Sequence, residues 1–274
     1  MNRTEARPLR VAVAGLGAVG MEVARRLAAG LEDLTLTAVS ARDRAAARIR
    51  MAAVDGGVAV LPVEELVDAA DVVVECAPAA VFPLIAEPAL RAGRVLVPIG
   101  VAALMEHLHL VDVARTSGGR ILVPSGALLG LDAVRAAAEG EIASVRMVTR
   151  KPPGGLLGAP YLQAHGIDVS NLSEPLRVFS GSAREGAAGF PANLNVAAAL
   201  GLAGVGLDRT ELEIWADPGV SRNCHRIVVE ADSARFTLEI ENIPTLANPR
   251  TGRLVANSIV ATLKRLVSPM IVGT

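Results

Sequence analysis

The chain has 274 residues, of which 51% are hydrophobic and 20% charged, a composition that excludes a disordered or fibrous protein and favours roughly two folded domains. Its 27 basic and 28 acidic residues leave a net charge of -1, so no overall field attracts nucleic acid or an anionic membrane. Aromatic residues make up only 2% of the chain, too few for a surface that stacks nucleic-acid bases.

Short Val-rich segments alternate with longer Ala-, Leu- and Arg-rich segments over the first half of the chain. The predicted strands of this half are Leu9–Ala14, Leu34–Ser40, Val58–Val60, Asp71–Glu75, Val95–Val97 and Arg120–Val123. The predicted helices are Val19–Ala29, Arg42–Met51, Val63–Ala69, Ala80–Ala92 and Ala102–Thr116. This alternation is typical of a doubly wound α/β domain, in which helices cover both faces of a parallel sheet.

The pattern changes after Pro124, where helices and strands no longer alternate regularly. The predicted helices of this part are Leu131–Glu139, Ser173–Ser180, Asn193–Ala203 and Arg253–Val267. The predicted strands are Ser144–Thr149, Glu211–Ala216, His225–Ala231 and Ser233–Glu241, and a Pro- and Gly-rich loop spans Lys151–Pro160. Apolar and polar residues alternate across the last two strands, which predicts a hairpin. We expect a second, α+β domain with a mixed sheet.

Neither a membrane segment nor a secretion signal is recognisable in the sequence. The most apolar helix, Val196–Leu207, is shorter than the about 20 residues that a membrane span needs. Cys76 and Cys224 are too few for a disulfide framework and lack the spacing of metal ligands. We therefore expect a cytoplasmic protein with no structural metal and no membrane partner.

The sharpest motif is GLGAVG at residues 15–20, between the first predicted strand and the first predicted helix. Gly15 allows a tight turn, Gly17 lets the backbone approach a pyrophosphate, and Gly20 lets the helix pack closely on the strand. Ala18 and Val19 lie in the first helical turn, whose N–H groups bind phosphate. The motif predicts a dinucleotide site, and the alternative is a glycine turn in another α/β fold.

The choice between NAD and NADP depends on the end of the second strand. An acidic residue there would bond the ribose hydroxyls of NAD, but this chain has Ser40, with Arg42 just beyond. A guanidinium makes paired bonds to phosphate oxygens, so the pair favours acceptance of the 2'-phosphate of NADP, alongside NAD. The alternative is that Arg42 only begins a solvated helix.

Small residues follow the fourth strand, at the edge of the sheet where ligands bind in such folds. Cys76, Ala77 and Pro78 leave room there for the nicotinamide half of a dinucleotide. Two later segments, Pro98–Gly100 and Ser125–Ala127, follow strands in the same way. Cys76 has a structural interpretation too, as a small buried hydrophobic residue rather than a reactive thiol.

Histidines are the main candidates for acid–base chemistry in a chain with four of them. His107 and His109 lie in a predicted helix, where a spacing of two places them on different faces and argues against a shared metal. His165 lies in a loop that contains glycine. His225 begins a predicted hairpin strand, where it is either a structural residue or a group that projects into a cleft.

With these motifs in place, the chain resembles the L-aspartate dehydrogenase family. The resemblance covers nearly the whole length and rests on GLGAVG, DVVVECA, PSGALLGLDAV, TRKPP, FPANLNVAAALGLAG, IWADP and NCHRI. The glycine motif is common to many dehydrogenases. The ordered set of FPANLNVAAAL, ADP and N-x-H is much more specific.

The family implies a Rossmann-type doubly wound domain over residues 1–125, completed by a C-terminal helix at about 252–274, and a mixed-sheet domain over 126–251 that binds substrate and forms a homodimer. It implies NAD(P)-dependent oxidation of the CH–NH2 group of L-aspartate. The product, iminosuccinate, hydrolyses to oxaloacetate and ammonia or feeds NAD biosynthesis.

The resemblance also implies roles for individual residues. The active-site histidine of the family matches His225, and its cofactor-contacting asparagine matches Asn195. Another cofactor contact falls at Ala127 to Leu129, where Leu129 replaces the usual small residue. A histidine that titrates near neutrality can take a proton from the substrate amine and then steer the attacking water, which we expect of His225.

The two carboxylates of the substrate need hydrogen-bond donors. Arg150 and Lys151, beside the Pro/Gly loop, are candidates, together with Asn195 and His225. The alternative is that Arg150 and Lys151 are a solvated strand end.

Two other functions remain open at this point. One is a related reductase, such as a relative of homoserine dehydrogenase or dihydrodipicolinate reductase, which would share the first half of the chain. The other is a non-catalytic protein that senses NAD(P). The segments Phe190–Leu200 and Asn223–His225 discriminate against the related reductase and favour the aspartate dehydrogenase interpretation. Intrusion of Leu129 on the nicotinamide would favour the sensor, whereas hydride transfer in a spectrophotometric screen would exclude it.

Overall fold

The computed structural model describes residues 7–190, 194–245, 248 and 251–273. These divide into two compact units, one drawn from Met1–Pro124 with Ala256–Ile271 and the other from Ser125–Val255 with Val272–Thr274. Each unit contains one β-sheet.

The sheet of the first unit is parallel and six-stranded. Its strands are β1 (Leu9–Ala14), β2 (Leu34–Ser40), β3 (Ala59–Val60), β4 (Val72–Glu75), β5 (Val95–Pro98) and β6 (Arg120–Ile121). The helices between them are α1 (Ala18–Ala28), α2 (Arg44–Ala52), α3 (Leu66–Ala69), α4 (Phe82–Arg91), α5 (Val101–Glu106) and α6 (Leu110–Ser117). The strand order β3-β2-β1-β4-β5-β6 reverses between β1 and β4, which confirms the predicted doubly wound sheet.

The central strands of this sheet are mostly apolar because helices cover both of their faces. Val11, Val13, Val72 and Val74 are fully buried. A cluster of aliphatic side chains surrounds Phe82, which is also fully buried. The core therefore holds the strands so that their carboxyl ends lie together at one edge of the sheet. The glycine motif follows β1 at this edge.

A charged contact stabilises the opposite, amino-terminal edge of β1 and β4. The Arg10 side chain donates to Asp71 at 2.9 Å, and the Arg10 backbone N–H donates to the same carboxylate at 3.0 Å. These bonds lower the pKa of Asp71 to about 2. The contact aligns the two strands away from the edge that binds ligands.

The second unit contains a five-stranded mixed sheet in the order β11-β10-β7-β9-β8. Its strands are β7 (Ile142–Lys151), β8 (Leu176–Ser182), β9 (Thr210–Ala216), β10 (Cys224–Ala231) and β11 (Arg235–Glu241). Its helices are α7 (Leu131–Ala137), α8 (Pro160–Ala164), α9 (Ala183–Gly189) and α10 (Asn195–Ala203). The last helix, α11 (Leu254–Val267), belongs to the first unit from Ala256 onwards. Strand β7 is parallel to β9 and antiparallel to β10, which confirms the mixed sheet, and β10 and β11 form the predicted hairpin.

Side chains alternate between two unlike faces of this sheet. One face is buried and mostly apolar, with Val145, Met147 and Ile227 almost fully covered. The other face, which we call the charged face, includes the ion pairs Arg146–Glu211 and Arg226–Glu239. The sequence of β7 therefore assigns odd-numbered residues to the buried face and even-numbered residues to the charged face from Ser144 onwards.

The predicted helix at Ser173–Ser180 is wrong, because Leu176–Ser182 is the edge strand β8, which pairs with β9. Val178 and Phe179 are buried in this strand, so tertiary packing outweighs local helical preference. The helix of this region begins later, at α9, where Ser182 and Glu185 form a reciprocal cap.

The single predicted helix at Ala102–Thr116 is also wrong, because it is divided into α5 and α6. His107 ends α5 and its Nδ1 lies 2.9 Å from the Ala103 carbonyl oxygen, while His109 precedes α6. Their rings lie 6.0 Å apart. A search of the described residues finds no group of three or more histidine, cysteine or acidic residues that could hold a metal.

Candidate active site

The glycine loop of the first unit has the shape that a pyrophosphate requires. Gly15 has a φ of +96°, and a Cβ atom on it would lie 2.4 Å from the Cys76 carbonyl oxygen. A Cβ atom on Gly20 would lie 1.9 Å from the Gly15 carbonyl oxygen, so the helix approaches the turn too closely for a side chain. Above Gly17 there is open space within 4 Å, directly before α1 begins at Ala18. A phosphate fits this space and meets the N–H groups of the first helical turn.

The ribose side of the loop lies at the end of β2. Ser40 is buried, and its carbonyl oxygen accepts a hydrogen bond from the Gly15 N–H at 2.8 Å. Arg42 is exposed in the loop before α2, which begins at Arg44 after the cap residue Asp43. The helix therefore begins two residues later than predicted, and Arg42 is a solvent-exposed residue of the loop that borders the ribose in this fold.

A second arginine, in addition to Arg42, lies near the glycine loop and was not predicted from the sequence. Arg50, in the last turn of α2, donates through Nη1 to the Leu16 carbonyl oxygen at 3.0 Å. Its position could not be read from sequence because it depends on how α2 packs beside the loop.

The end of β4 carries a buried carboxylate that sequence reasoning also missed. Glu75 has no exposed surface, and it accepts hydrogen bonds from the Ala77 N–H at 2.8 Å and the Gly100 N–H at 3.0 Å. Burial raises the pKa of Glu75 to about 7, although the N–H donors act in the opposite direction. The sequence feature that could have revealed it is an acidic residue directly after three valines of a buried strand.

Cys76 follows Glu75 and lies against the glycine loop. Burial and the neighbouring Glu75 charge raise the pKa of its thiol far above the usual range. The thiol therefore stays protonated and is a poor nucleophile. This agrees with the interpretation of Cys76 as a small packing residue, beside half-buried Ala77 and exposed Pro78.

The acid–base candidates of the second unit meet on the buried face of its sheet. His225 in β10 pairs directly with Thr149 in β7, and Nδ1 of the histidine lies 3.1 Å from the threonine Oγ1. Their exposed fractions are 4% and 1%, and Lys151, two residues beyond Thr149 on the same face, is 5% exposed. Thr149 was not singled out from the sequence, because the register between β7 and β10 is set by the folded sheet.

Burial and charge alter the acid–base properties of this cluster. Burial and the Lys151 charge lower the pKa of His225 to about 3, so the imidazole does not titrate near neutrality as expected from the sequence. Burial lowers the pKa of Lys151 to about 8. At neutral pH the cluster holds a neutral imidazole beside an ammonium group, a combination that attracts an anionic ligand.

Arg150 does not join this cluster, because adjacent strand residues point to opposite faces. It lies on the charged face, where its Nη1 donates to Asp217 at 2.8 Å and its guanidinium lies 5.0 Å from the centre of the Trp215 ring. These contacts give Arg150 a structural role that the sequence did not reveal.

The remaining predicted cofactor contacts lie in loops and helix starts of the second unit. Asn195 is the exposed first residue of α10, while Asn193, the predicted start of that helix, lies outside the described residues. Ala127 and Leu129 are half-buried in the loop before α7. The Ala127 carbonyl oxygen accepts a hydrogen bond from the Asn242 amide at 3.0 Å, which holds this loop in place.

A doubly wound sheet with a glycine loop at its switch point, in a chain with a second mixed-sheet unit, defines the class of two-domain dinucleotide-dependent oxidoreductases. Two family models match the chain. Residues 15–124 match the model described as the NAD-binding domain of homoserine dehydrogenase, and residues 132–266 match the model described as the C-terminal part of aspartate dehydrogenase.

Known proteins resemble the chain over its full length. An L-aspartate dehydrogenase of Bradyrhizobium diazoefficiens is 53% identical over 100% of this chain and 97% of its own. The L-aspartate dehydrogenase 3 of Bordetella bronchiseptica is 54% identical over 97% of this chain and 98% of its own. A crystal structure of aspartate dehydrogenase from Thermotoga maritima superposes with a TM-score of 0.73 at 25% identity, covering 97% of this chain and 99% of that one.

The chain therefore belongs to the L-aspartate dehydrogenase family, which confirms the resemblance inferred from the sequence motifs. It is an NAD(P)-dependent oxidoreductase. The first half alone matches a homoserine dehydrogenase model, so the second half discriminates between the related enzymes, as the sequence predicted. Among the described residues, no helix is long and apolar enough to cross a membrane.

Proposed function

We propose that the protein oxidises L-aspartate to iminosuccinate with NAD(P)+, and that the imine then hydrolyses to oxaloacetate and ammonia; the reverse reaction is reductive amination. The observation that carries this proposal is the buried cluster of His225, Thr149 and Lys151, in a chain whose full-length relatives are L-aspartate dehydrogenases. The bound oxidised nicotinamide supplies a hydride acceptor for the substrate Cα.

His225 is the proton acceptor in this proposal. If its Nδ1–H donates to the Thr149 oxygen, the Nε2 lone pair is left to take a proton from the substrate amine. Once that proton has passed to solvent, Nε2 is free to take one from the attacking water. Its low pKa in the unliganded protein keeps the imidazole neutral and ready to accept a proton. A bound substrate with two carboxylates raises that pKa, because nearby negative charge favours the imidazolium form.

Lys151 binds one substrate carboxylate in the same proposal. Its ammonium group is buried on the face that carries His225, where a charge-assisted hydrogen bond is stronger than at an exposed site. Arg150, on the opposite face and bonded to Asp217, is left out of this role. Asn195 is proposed to contact the cofactor, as the family motif implies, and so are Ala127 and Leu129.

The cofactor proposal includes both dinucleotides. Ser40 carries no charge that would repel a 2'-phosphate, and the exposed Arg42 guanidinium follows it in the loop at the ribose edge. We therefore propose that NADP is accepted alongside NAD.

The test is a spectrophotometric screen at the absorbance band of the reduced nicotinamide, with a panel of amino acids and each of NAD+ and NADP+. We expect turnover of L-aspartate and of oxaloacetate with ammonia in reverse. The proposal is overturned if neither direction is observed with either cofactor. His225→Ala should lose most of this turnover, while His165→Ala, a change at an exposed histidine of the same unit, should retain it.

We also propose that the protein forms a homodimer through the charged face and resides in the cytoplasm. The five-stranded sheet has one uncovered face, on which a cavity of about 670 Å³ is bordered by Val148, Trp215 and Arg226. Its ion pairs place positive and negative groups side by side, so the face can complement a second copy of itself. Two free cysteines support a reducing compartment.

A further inference from the structure

The buried Glu75 carboxylate has no role in the chemistry described above. It lies at the end of β4 with no exposed surface, and the groups that perturb its pKa in the described structure are backbone N–H donors rather than cations. A buried carboxylate without a paired cation is costly, and an apolar residue would suit the all-valine strand better. Its presence therefore requires an explanation other than stability.

The two oxygens of Glu75 connect two different loops. Oε1 accepts the hydrogen bond from Ala77 in the loop after β4, and Oε2 accepts the one from Gly100 in the loop after β5. The backbone of Glu75 adds a third link, because its carbonyl oxygen accepts from the Ile99 N–H at 3.0 Å. The fit is tight, since a Cβ atom on Gly100 would lie 3.0 Å from Oε2.

These loops lie on one particular side of the switch point. A doubly wound sheet binds one mononucleotide on each half, with the pyrophosphate at the β1–α1 turn between them. The adenosine half lies towards β2, which ends at Ser40. The nicotinamide half therefore lies towards β4 and β5, whose loops Glu75 connects.

We propose that Glu75 is a positioning residue for the nicotinamide half of the dinucleotide, which holds the loops after β4 and β5 at a fixed separation through its two carboxylate oxygens. The cofactor contacts the loops and Glu75 acts from beneath them. A carboxylate suits this role because it offers two acceptors and no donor. A glutamine of the same shape offers one acceptor, and its NH2 group would face one of the two backbone N–H donors.

The test compares two ligands that differ only in the nicotinamide. Reduced dinucleotide and ADP-ribose are titrated into wild-type protein and Glu75→Gln by calorimetry, without any amino acid and at a pH above about 8, where the Glu75 carboxylate is mostly ionised. NADPH and 2'-phospho-ADP-ribose replace them if the wild type binds NADPH more tightly. We expect reduced dinucleotide to bind about tenfold more weakly to the variant, because one hydrogen bond to a loop is lost. The affinity for ADP-ribose should stay within about twofold of the wild-type value.

Two further variants make the result decisive. Gly100→Ala perturbs the same contact from the other loop, at a backbone φ of -76° that alanine accepts, and should give the same selective loss even if Glu75→Gln does not fold. Glu64→Gln, an exposed carboxylate of the same unit, should change neither affinity. An equal loss of affinity for both ligands would show that Glu75 has only a general structural role. Unchanged affinity for both ligands would show that the loops do not depend on Glu75. Either result overturns the proposal. Because no amino acid is present, the outcome does not depend on whether aspartate is the substrate.

Discussion

At the scale of single residues, the pair of Thr149 and His225 decides how the proposed base works. A buried imidazole with an unmatched Nδ1 would be free to adopt either tautomer. When the threonine oxygen, 3.1 Å away, accepts from Nδ1–H, the Nε2 lone pair is left as the proton acceptor. Lys151 adds a positive charge that keeps the imidazole neutral until an anionic substrate binds.

Thr149→Val tests this pairing because it replaces the hydroxyl by a methyl group of similar size. We expect kcat for L-aspartate to fall about tenfold, since the imidazole loses a buried hydrogen bond that orients its ring. Thr149→Ser keeps the hydroxyl and should retain most of the activity. Steady-state kinetics of the two variants measure the difference, and equal activity of valine and serine variants would contradict the role of the hydroxyl.

Lys151 provides a test that depends on pH. Its pKa of about 8 means that the ammonium form predominates below that pH and is lost above it. If Lys151 binds a carboxylate, the inhibition constant of succinate, a dicarboxylate without an amine, should rise about tenfold per pH unit above about 8. Lys151→Arg stays charged and should remove this rise. A succinate constant that is independent of pH between 7 and about 10 would exclude the contact.

Arg42 determines the preference for the 2'-phosphate in our proposal. Arg42→Ala should lower kcat/KM for NADP+ about tenfold or more and leave that for NAD+ unchanged, since only NADP+ offers a phosphate to the guanidinium. Arg44→Ala, at the exposed start of α2 two residues later, is the matched control. Equal losses with both cofactors would show that Arg42 does not read the phosphate.

At the scale of elements, the sequence predicts best where one pattern dominates. The bounds of β1 and β2 are predicted to the residue, because buried valine and alanine segments end sharply at the glycine loop and at Ser40. The strand at Leu176–Ser182 is missed, because it pairs at the edge of a sheet through contacts distant in sequence. His225 was found from a motif, while Thr149 and Glu75 were not, since their importance depends on register and on the meeting of two loops.

The end of β4 yields a prediction about stability. The folded-state pKa of Glu75, about 7, exceeds its usual value near 4.5, so the folded protein binds this proton more tightly than the unfolded chain. The resulting stabilisation is fully present below pH 4.5 and is lost as the pH rises through about 7. Relative to Glu75→Gln, the wild type should lose up to about 3 kcal/mol of unfolding free energy over this range.

Urea unfolding of wild type and Glu75→Gln at pH values on both sides of this range measures that difference. Glu64→Gln, on the surface, should differ from the wild type by the same small amount at every pH. A difference for Glu75→Gln that does not change with pH would mean that folding leaves the pKa of Glu75 unchanged. If the wild type loses stability at high pH relative to Glu75→Gln but binds the nicotinamide half more tightly, Glu75 contributes to cofactor binding at the expense of stability.

At the scale of the whole molecule, the charged face of the second sheet is the surface through which we propose that the protein dimerises. Val148 lies half-buried on β7, the central strand, amid the ion pairs of this face. An aspartate there would add an unpaired negative charge at the centre of the proposed dimer interface, where desolvation is costly. We expect wild-type protein to sediment as a dimer and Val148→Asp to sediment as a monomer.

The control for this experiment is Leu84→Asp, which places the same charge at an exposed apolar residue of α4 in the first unit. It should leave the dimer intact. Circular dichroism distinguishes dissociation from unfolding, because a folded Val148→Asp monomer keeps the helical signal of both units. A monomeric wild type, or a Val148→Asp variant that remains a folded dimer, would contradict the proposed dimer interface. In either case the ion pairs of the charged face would be satisfied within one chain and exposed to water.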